Sequence, residues 1–267
     1  MISGRTRVFG ILGNPVSHSL SPAMHNAAFR ALGLDAAYVP MMCQAEDVPA
    51  LVRALARAGG GGNVTVPHKK AAARAVDRLE PRAAALDACN TFWAADGGSA
   101  GDNTDVVGLL DALDRLDPPR RAWLVFGTGG SARAVAGAAR ERGRALAVRS
   151  RDPARAEAFA AWARGLGVAG AAPEDCGVLI NATPLGREPG DPLPIPAELA
   201  PTAEVALDLV YARGETPWVR TLRARGLRTA DGRAMLVAQG AAAFERWFPG
   251  VVAPRDVMRA AVDAALR

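Results

Sequence analysis

The stretch AWLVFGTGGSARAVAGAA, residues 122–139, constrains this chain more than any other. An apolar run of strand character passes straight into glycines, and an Ala-rich helical segment follows. Gly127, Gly129 and Ala132 stand in G-x-G-x-x-A spacing. Glycines in such a turn let backbone approach a pyrophosphate closely, while the helix N-terminus supplies N–H donors and the positive end of its dipole. A second apolar run, ALAV, comes after the helix. The loop therefore lies inside a βαβ unit and reads as a dinucleotide site of Rossmann type rather than a plain glycine turn. The expected loop contacts are Gly127, Thr128, Gly129, Gly130, Ser131 and Ala132.

The end of the second strand distinguishes the two nicotinamide dinucleotides. Asp or Glu there accepts from a ribose 2′-hydroxyl, whereas Arg meets a 2′-phosphate. The chain reads AVRSRDPAR, with Ser150 at the expected strand end and Arg151 and Arg155 just after it. This pattern favours NADP. Asp152 is the counter-signal, since a carboxylate turned inward would select NAD.

The alternation of apolar runs with helical segments extends through all 267 residues, and a content of 50% apolar and 22% charged residues suits sizeable cores. RVFGIL, AAYVPM, NVTV and NTFWAA read as strands, with helices after Pro22, through EDVPALVRALARA and from Lys69. DGGSAGDNTD reads as turn. AWLVF, ALAV, GVLINAT and EVALDLVY form a second series, and MLVAQGAAAFERWF and PRDVMRAAVDAAL close the chain with helical periodicity. Strands spaced by helices make βαβ units and mostly parallel sheets. The expected fold class is α/β with two α/β domains. A substrate-binding domain spans 1–104 plus 238–267, a Rossmann-type dinucleotide-binding domain spans 105–237, and a linker helix lies near 105–116.

All three histidines, His18, His25 and His68, fall early in the chain, and of its 32 Lys plus Arg only Lys69 and Lys70 are lysine. A guanidinium stays protonated, whereas an ammonium can be tuned until it releases a proton, so amines kept in an arginine-rich chain point to proton transfer. Ser, Thr, Asn and Asp gather in GNPVSHSLSPAMHN, NVTVPHKK, CNT and GDNTD, a set suited to a polyhydroxylated ligand. His18 and His25 flank a Pro-containing turn, and neither H-E-x-x-H nor paired cysteines occur, so no metal is expected. Cys43, Cys89 and Cys176 lie far apart and read as core thiols. The net charge of +5 is spread over scattered arginines, which fits an anionic substrate or cofactor and no nucleic-acid partner. The apolar run of MISGRTRVFGILGNP is too short for a signal segment, and no stretch approaches the roughly 18 apolar residues of a membrane span. A cytoplasmic protein without a membrane partner is expected.

These residues resemble a known family, the shikimate dehydrogenases. GNPVSHSLSPAMHN, GGNVTVPHKKAA, CNTF, GDNTD, FGTGGSARA, INATPLG, DLVYARGETP and DGRAMLVAQGAAAFERW are similar to that family's landmarks and follow its order. The resemblance implies reversible reduction of 3-dehydroshikimate to shikimate by NADPH, in aromatic amino acid biosynthesis through chorismate. It implies Ser19 and Ser21 on the substrate carboxylate and Thr65, Lys69, Asn90 and Asp105 around the ring hydroxyls, with Tyr211 and Gln239 completing the pocket. Lys69 and Asp105 would carry the chemistry, and Lys70 would face away. Thr183, Leu209 and Gly232 join the implied cofactor contacts. A monomer or homodimer is expected. Three positions depart from the pattern: Val106 follows the N-T-D triplet, Arg187 follows Gly186, and Ala234 stands in DGRAM. The alternatives are an enzyme of wider range that also takes quinate, or a cofactor-binding relative without turnover.

Overall fold

Arg7–Gly13 (β1) reads RVFGILG and buries its last five residues, as a strand covered on both faces must. It pairs in parallel with Ala36–Met42 (β2) on one side and Gly61–Val64 (β3) on the other. Arg78–Leu79 (β4), Thr91–Ala95 (β5) and Gly98–Asp102 (β6) complete a sheet of order β2-β1-β3-β5-β6-β4. β5 is antiparallel to both its neighbours, and every other pairing is parallel. The structure, a computed structural model, describes residues 2–187, 190–194 and 199–267.

Two strands of this sheet are built from residues that favour loops. A Cβ at Gly61 would stand 2.4 Å from the carbonyl oxygen of Phe92, and one at Gly62 2.3 Å from that of Gly10. Gly61 and Gly62 thus extend the strand before Asn63 and are crowded on both sides. DGGSAGDNTD, expected as turn, is turn at Asp96 and Gly97, whose φ values of 44° and 78° suit the tight hairpin joining β5 to β6, and again only at Thr104. Gly98–Asp102 is strand, and its small residues follow from contact: a Cβ on Gly101 would lie 2.7 Å from the Cys89 sulfur. Packing overrides propensity here.

Helices Ser21–Ala31 (α1), Val48–Arg57 (α2), Lys69–Ala75 (α3) and Pro81–Leu86 (α4) flank the sheet. α2 buries Val48, Val52, Leu55 and Ala56, one stripe at helical spacing, on a core containing Leu12, Val64, Cys89 and Phe92. Asp105–Asp114 (α5) follows β6.

The second sheet is wholly parallel, with order β11-β10-β9-β7-β8. Its strands are Ala122–Phe126 (β7), Leu146–Arg149 (β8), Cys176–Asn181 (β9), Val205–Asp208 (β10) and Arg228–Ala230 (β11). β11 has no apolar run to announce it, being a three-residue edge strand that is partly exposed. Gly130–Arg142 (α6), Pro153–Gly165 (α7) and Pro217–Ala224 (α8) pack around it, and Trp218, Leu124, Leu179 and Ala206 lie in one core.

Arg233–Trp247 (α9) and Arg255–Ala265 (α10) end the chain, and α10 packs along α1. One compact unit comprises Met1–Gly108 with Leu236–Ala265, and the other Leu109–Met235 with Leu266–Arg267. The first division falls after Gly108 rather than before Asp105, because the Asp105 side chain is bonded to Lys69 and Asn90 of the first unit. The return comes at Leu236, two residues before the expected 238. Among the described residues no helix is long and apolar enough to cross a membrane.

Candidate active site

In the first unit, strand ends bring polar side chains to one place. Lys69 opens α3, Asn90 precedes β5, and Asp105 opens α5 just beyond β6. Each is less than a tenth exposed. The Lys69 amine donates to Asp105 Oδ2 at 2.5 Å, and the Asn90 amide donates to Asp105 Oδ1 at 2.8 Å. Both carboxylate oxygens are therefore occupied by donors from different elements, which fixes the plane of the carboxylate. Backbone bonds set the same frame: Cys89 N–H donates to the Lys69 carbonyl at 2.9 Å, and Asn90 N–H to that of Asp102 at 3.1 Å. Gln239, on α9, accepts from Asn90 at 3.4 Å.

Lys70 points outward, half exposed, and pairs with Asp87 at 3.5 Å. The adjacent amines thus occupy different environments, as a helical step of about 100° requires. His68 caps α3 from inside the fold, its Nε2 donating to the Cys43 carbonyl at 2.9 Å. Thr65 sits one turn earlier, its methyl packed so tightly on Gly13 that a Cβ there would come within 2.4 Å.

Ser19 and Ser21 are joined directly, Ser21 N–H donating to Ser19 Oγ at 3.3 Å. Ser21 is not a helix cap: Leu20 holds that position. Four residues beyond those expected belong to the same buried network: Tyr38, Asn63, Thr91 and Thr104. A signal for Asn63 was present, since a lone amide in an otherwise apolar and glycine strand must find partners. Tyr38 gives no such signal, because a tyrosine in a strand reads as packing. His25 is fully buried with neither ring nitrogen bonded, and burial drives its pKa down to about 3. It is a neutral aromatic, not an acid or base for turnover at neutral pH. The thiols are also silent: burial pushes Cys89 up to about 12 and Cys176 up to about 11.

In the second unit the loop after β7 has the geometry a dinucleotide needs. Gly127 adopts φ +116°, and a Cβ there would stand 2.8 Å from the Ala182 carbonyl oxygen. Gly129 caps α6 with no side-chain bond, and the space beside it is open. Gly130 and Ser131 begin the helix, while Ala132 is fully buried. β8 ends at Arg149, placing Ser150 and the exposed Arg151 just past the strand. Asp152 caps α7 instead of turning inward, accepting from Ala154 N–H at 3.0 Å and Arg155 N–H at 3.3 Å. Arg155 also pairs with it at 3.4 Å.

At the ends of β9 and β10, Asn181 accepts from Thr183 N–H and Oγ1 at 3.0 and 2.7 Å and donates to Asp208 at 2.8 Å. Asp208 also accepts from Thr216 at 2.6 Å and Val210 N–H at 3.0 Å. Burial raises its pKa to about 6, against the pull of those bonds. Gly232 lies against Leu209, where a Cβ would come within 2.4 Å of the carbonyl oxygen, and Tyr211 borders the same glycine. Of the three departures, Val106 is fully buried, Ala234 is half-buried in the first turn of α9, and Arg187 is exposed.

A family model of the shikimate dehydrogenase substrate binding domain matches residues 11–92, and one of the shikimate 5'-dehydrogenase C-terminal domain matches residues 232–262. The shikimate dehydrogenase (NADP(+)) of Rubrobacter xylanophilus is 42% identical over 277 residues, covering 98% of this chain and 97% of that protein. Its counterpart in Rhodospirillum rubrum is 42% identical over 280 residues, covering 98% and 99%. The crystal structure of shikimate 5-dehydrogenase from Thermus thermophilus in complex with NADP(H) and shikimate is similar with a TM-score of 0.87 and 38% identity, covering 99% of this chain and 100% of that one. With such identity along nearly the whole of both sequences, the chain belongs to the shikimate dehydrogenase family.

Proposed function

We propose that the protein catalyses the reversible, NADP-dependent interconversion of 3-dehydroshikimate and shikimate, a step of aromatic amino acid biosynthesis through chorismate. The observation that carries this reading is the buried Lys69–Asp105 pair, held from a third side by Asn90. A lysine and an aspartate shielded from water and linked at 2.5 Å can pass a proton to and from a hydroxyl placed beside them.

The second unit fits a dinucleotide by its own geometry, with glycine backbone left bare at Gly127, Gly129 and Gly232. When bound, NADPH supplies a hydride to the substrate carbonyl carbon. The oxygen left behind needs a proton, and the Lys69 ammonium donates it; in reverse the neutral amine takes it back. Asp105 orients that amine and accepts from the neighbouring ring hydroxyl. Asn90, Thr65 and Gln239 complete the hydroxyl contacts, and Ser19 and Ser21 hold the carboxylate away from the reacting carbon. The family resemblance assigns Tyr211 to the substrate as well. Gly127 to Ala132 cradle the pyrophosphate, Ser150, Arg151 and Arg155 receive the 2′-phosphate, and Thr183, Leu209 and Gly232 line the nicotinamide end. The enzyme works in the cytoplasm as a monomer or homodimer; its three free, buried thiols suit a reducing compartment.

Absorbance at the nicotinamide band tests the reading. Shikimate with NADP should give steady turnover, and quinate or NAD should each give less. Cofactor binding without turnover would identify a non-catalytic relative, and faster turnover of quinate an enzyme of wider range.

A further inference from the structure

Tyr38 lies on β2, with β1 and β3 between it and β5 with the adjoining Asn90, and is 2% exposed. Its hydroxyl donates to Asn63 Oδ1 at 2.8 Å. That bond decides which end of the Asn63 amide faces the phenol, so Nδ2 points the other way and donates to Thr91 Oγ1 at 2.9 Å and to the Asn90 carbonyl at 3.3 Å. The Thr91 hydroxyl lies 3.2 Å from Asn90 Oδ1 and 2.9 Å from Thr104 Oγ1, which donates to the same Asn90 Oδ1 at 3.2 Å, so hydroxyls meet the Asn90 oxygen and Nδ2 is left to donate to Asp105. Every donor in this series points toward Asp105. Reversing one amide would set a carbonyl oxygen against the carboxylate.

Resting on the proposed role of Lys69 and Asp105, we propose that Tyr38 is a positioning residue that sets the polarity of the Asn63–Thr91–Asn90 relay and so holds the Asp105 carboxylate square to Lys69. The phenol is itself well fixed. His25 stacks on it with centroids 4.6 Å apart and planes 25° from parallel, and Trp247 packs at 5.8 Å. The unbonded nitrogens of His25 make that ring a platform and nothing more. Thr104 N–H also holds Asn90 Oδ1, at 2.7 Å, so loss of the phenol should weaken the arrangement without abolishing it.

Tyr38→Phe keeps the ring, its stack on His25 and its packing, and removes only the donor. In steady-state assays with shikimate and NADP, kcat should fall about tenfold, the worth of one buried hydrogen bond, while KM for shikimate stays level. Asn63→Ala should cut kcat similarly, and the double variant should be no worse than the poorer single one, because both changes break the same relay. Thermal midpoints of all three record any general loss of folding. A Tyr38→Phe enzyme with kcat within about twofold of wild type, or losses that multiply in the double variant, would overturn the proposal. Absence of turnover in the wild-type enzyme would instead remove the reading on which it rests.

Discussion

At the scale of single residues, the two lysines carry the sharpest expectation. Lys69→Arg keeps the charge beside Asp105 but removes the transferable proton, so turnover should fall by about a hundredfold to ten-thousandfold with little change in KM for shikimate. Lys70→Arg, whose partner is the exposed Asp87, should leave both constants near wild type. Equal losses in the two variants would show that Lys69 contributes charge alone. Arg151 carries the second expectation. A guanidinium meets a phosphate through paired, charge-assisted bonds, so Arg151→Ala should raise KM for NADP about tenfold to a hundredfold and leave KM for NAD nearly unchanged. A parallel rise for both dinucleotides would move Arg151 away from the 2′-phosphate.

At the scale of elements, Asp152 separates two roles that its sequence position leaves open. Its carboxylate accepts from two N–H groups at the start of α7 and so serves the helix. Asp152→Ala should lower unfolding stability by about 1 kcal/mol, the usual worth of such a cap, and leave the preference for NADP over NAD in place. A reversed preference in kcat/KM would return the carboxylate to the ribose. Elements also mark where the sequence was legible. β1, β2, β7, β8, β9 and β10 announce themselves by apolar runs, and α2 and α6 by their helical segments, so the two-domain α/β fold could be read directly. β3 and β6 could not be read fully, because glycine and small residues there answer to neighbours from distant segments, Phe92, Gly10 and Cys89. The same limit held at the site. Lys69, Asn90, Asp105 and Gln239 stood out by type and by family resemblance, and the structure joins all four. Tyr38 and Thr91 matter only through hydrogen bonds across strands, which no local pattern encodes.

At the scale of the whole molecule, two buried titratable groups respond to acid in opposite directions. His25, in the first unit, is held neutral with its pKa down to about 3, while its unfolded form takes up a proton near 6.5. Its stabilising effect is complete above the unfolded value and is lost as pH falls, about 2 kcal/mol by pH 5. Asp208, in the second unit, has its pKa raised to about 6. Its contribution is complete below the unfolded value near 3.8 and is lost as pH rises through 6, so moving from pH 7 to pH 5 restores about 1 kcal/mol. Acid should therefore loosen the first unit before the second. Hydrogen exchange, corrected for intrinsic rates, should show protection falling in β1 and β3 between pH 7 and about pH 5 while β9 and β10 hold or gain. Asp208→Asn should flatten the response of the second unit alone, and uniform loss of protection would refute the assignment to these two groups. The neighbouring amines of α3 have one more consequence, for labelling chemistry. Besides any free terminal amine, an acylating reagent meets just two nucleophilic nitrogens of lysine type in the whole protein, one half in solvent and the other buried against Asp105. Lys70 should be acylated quickly whatever is bound, and Lys69 only when its pocket opens. The ratio of singly to doubly modified peptide from this one segment becomes an occupancy gauge for the substrate site that requires neither a mutation nor a chromophore.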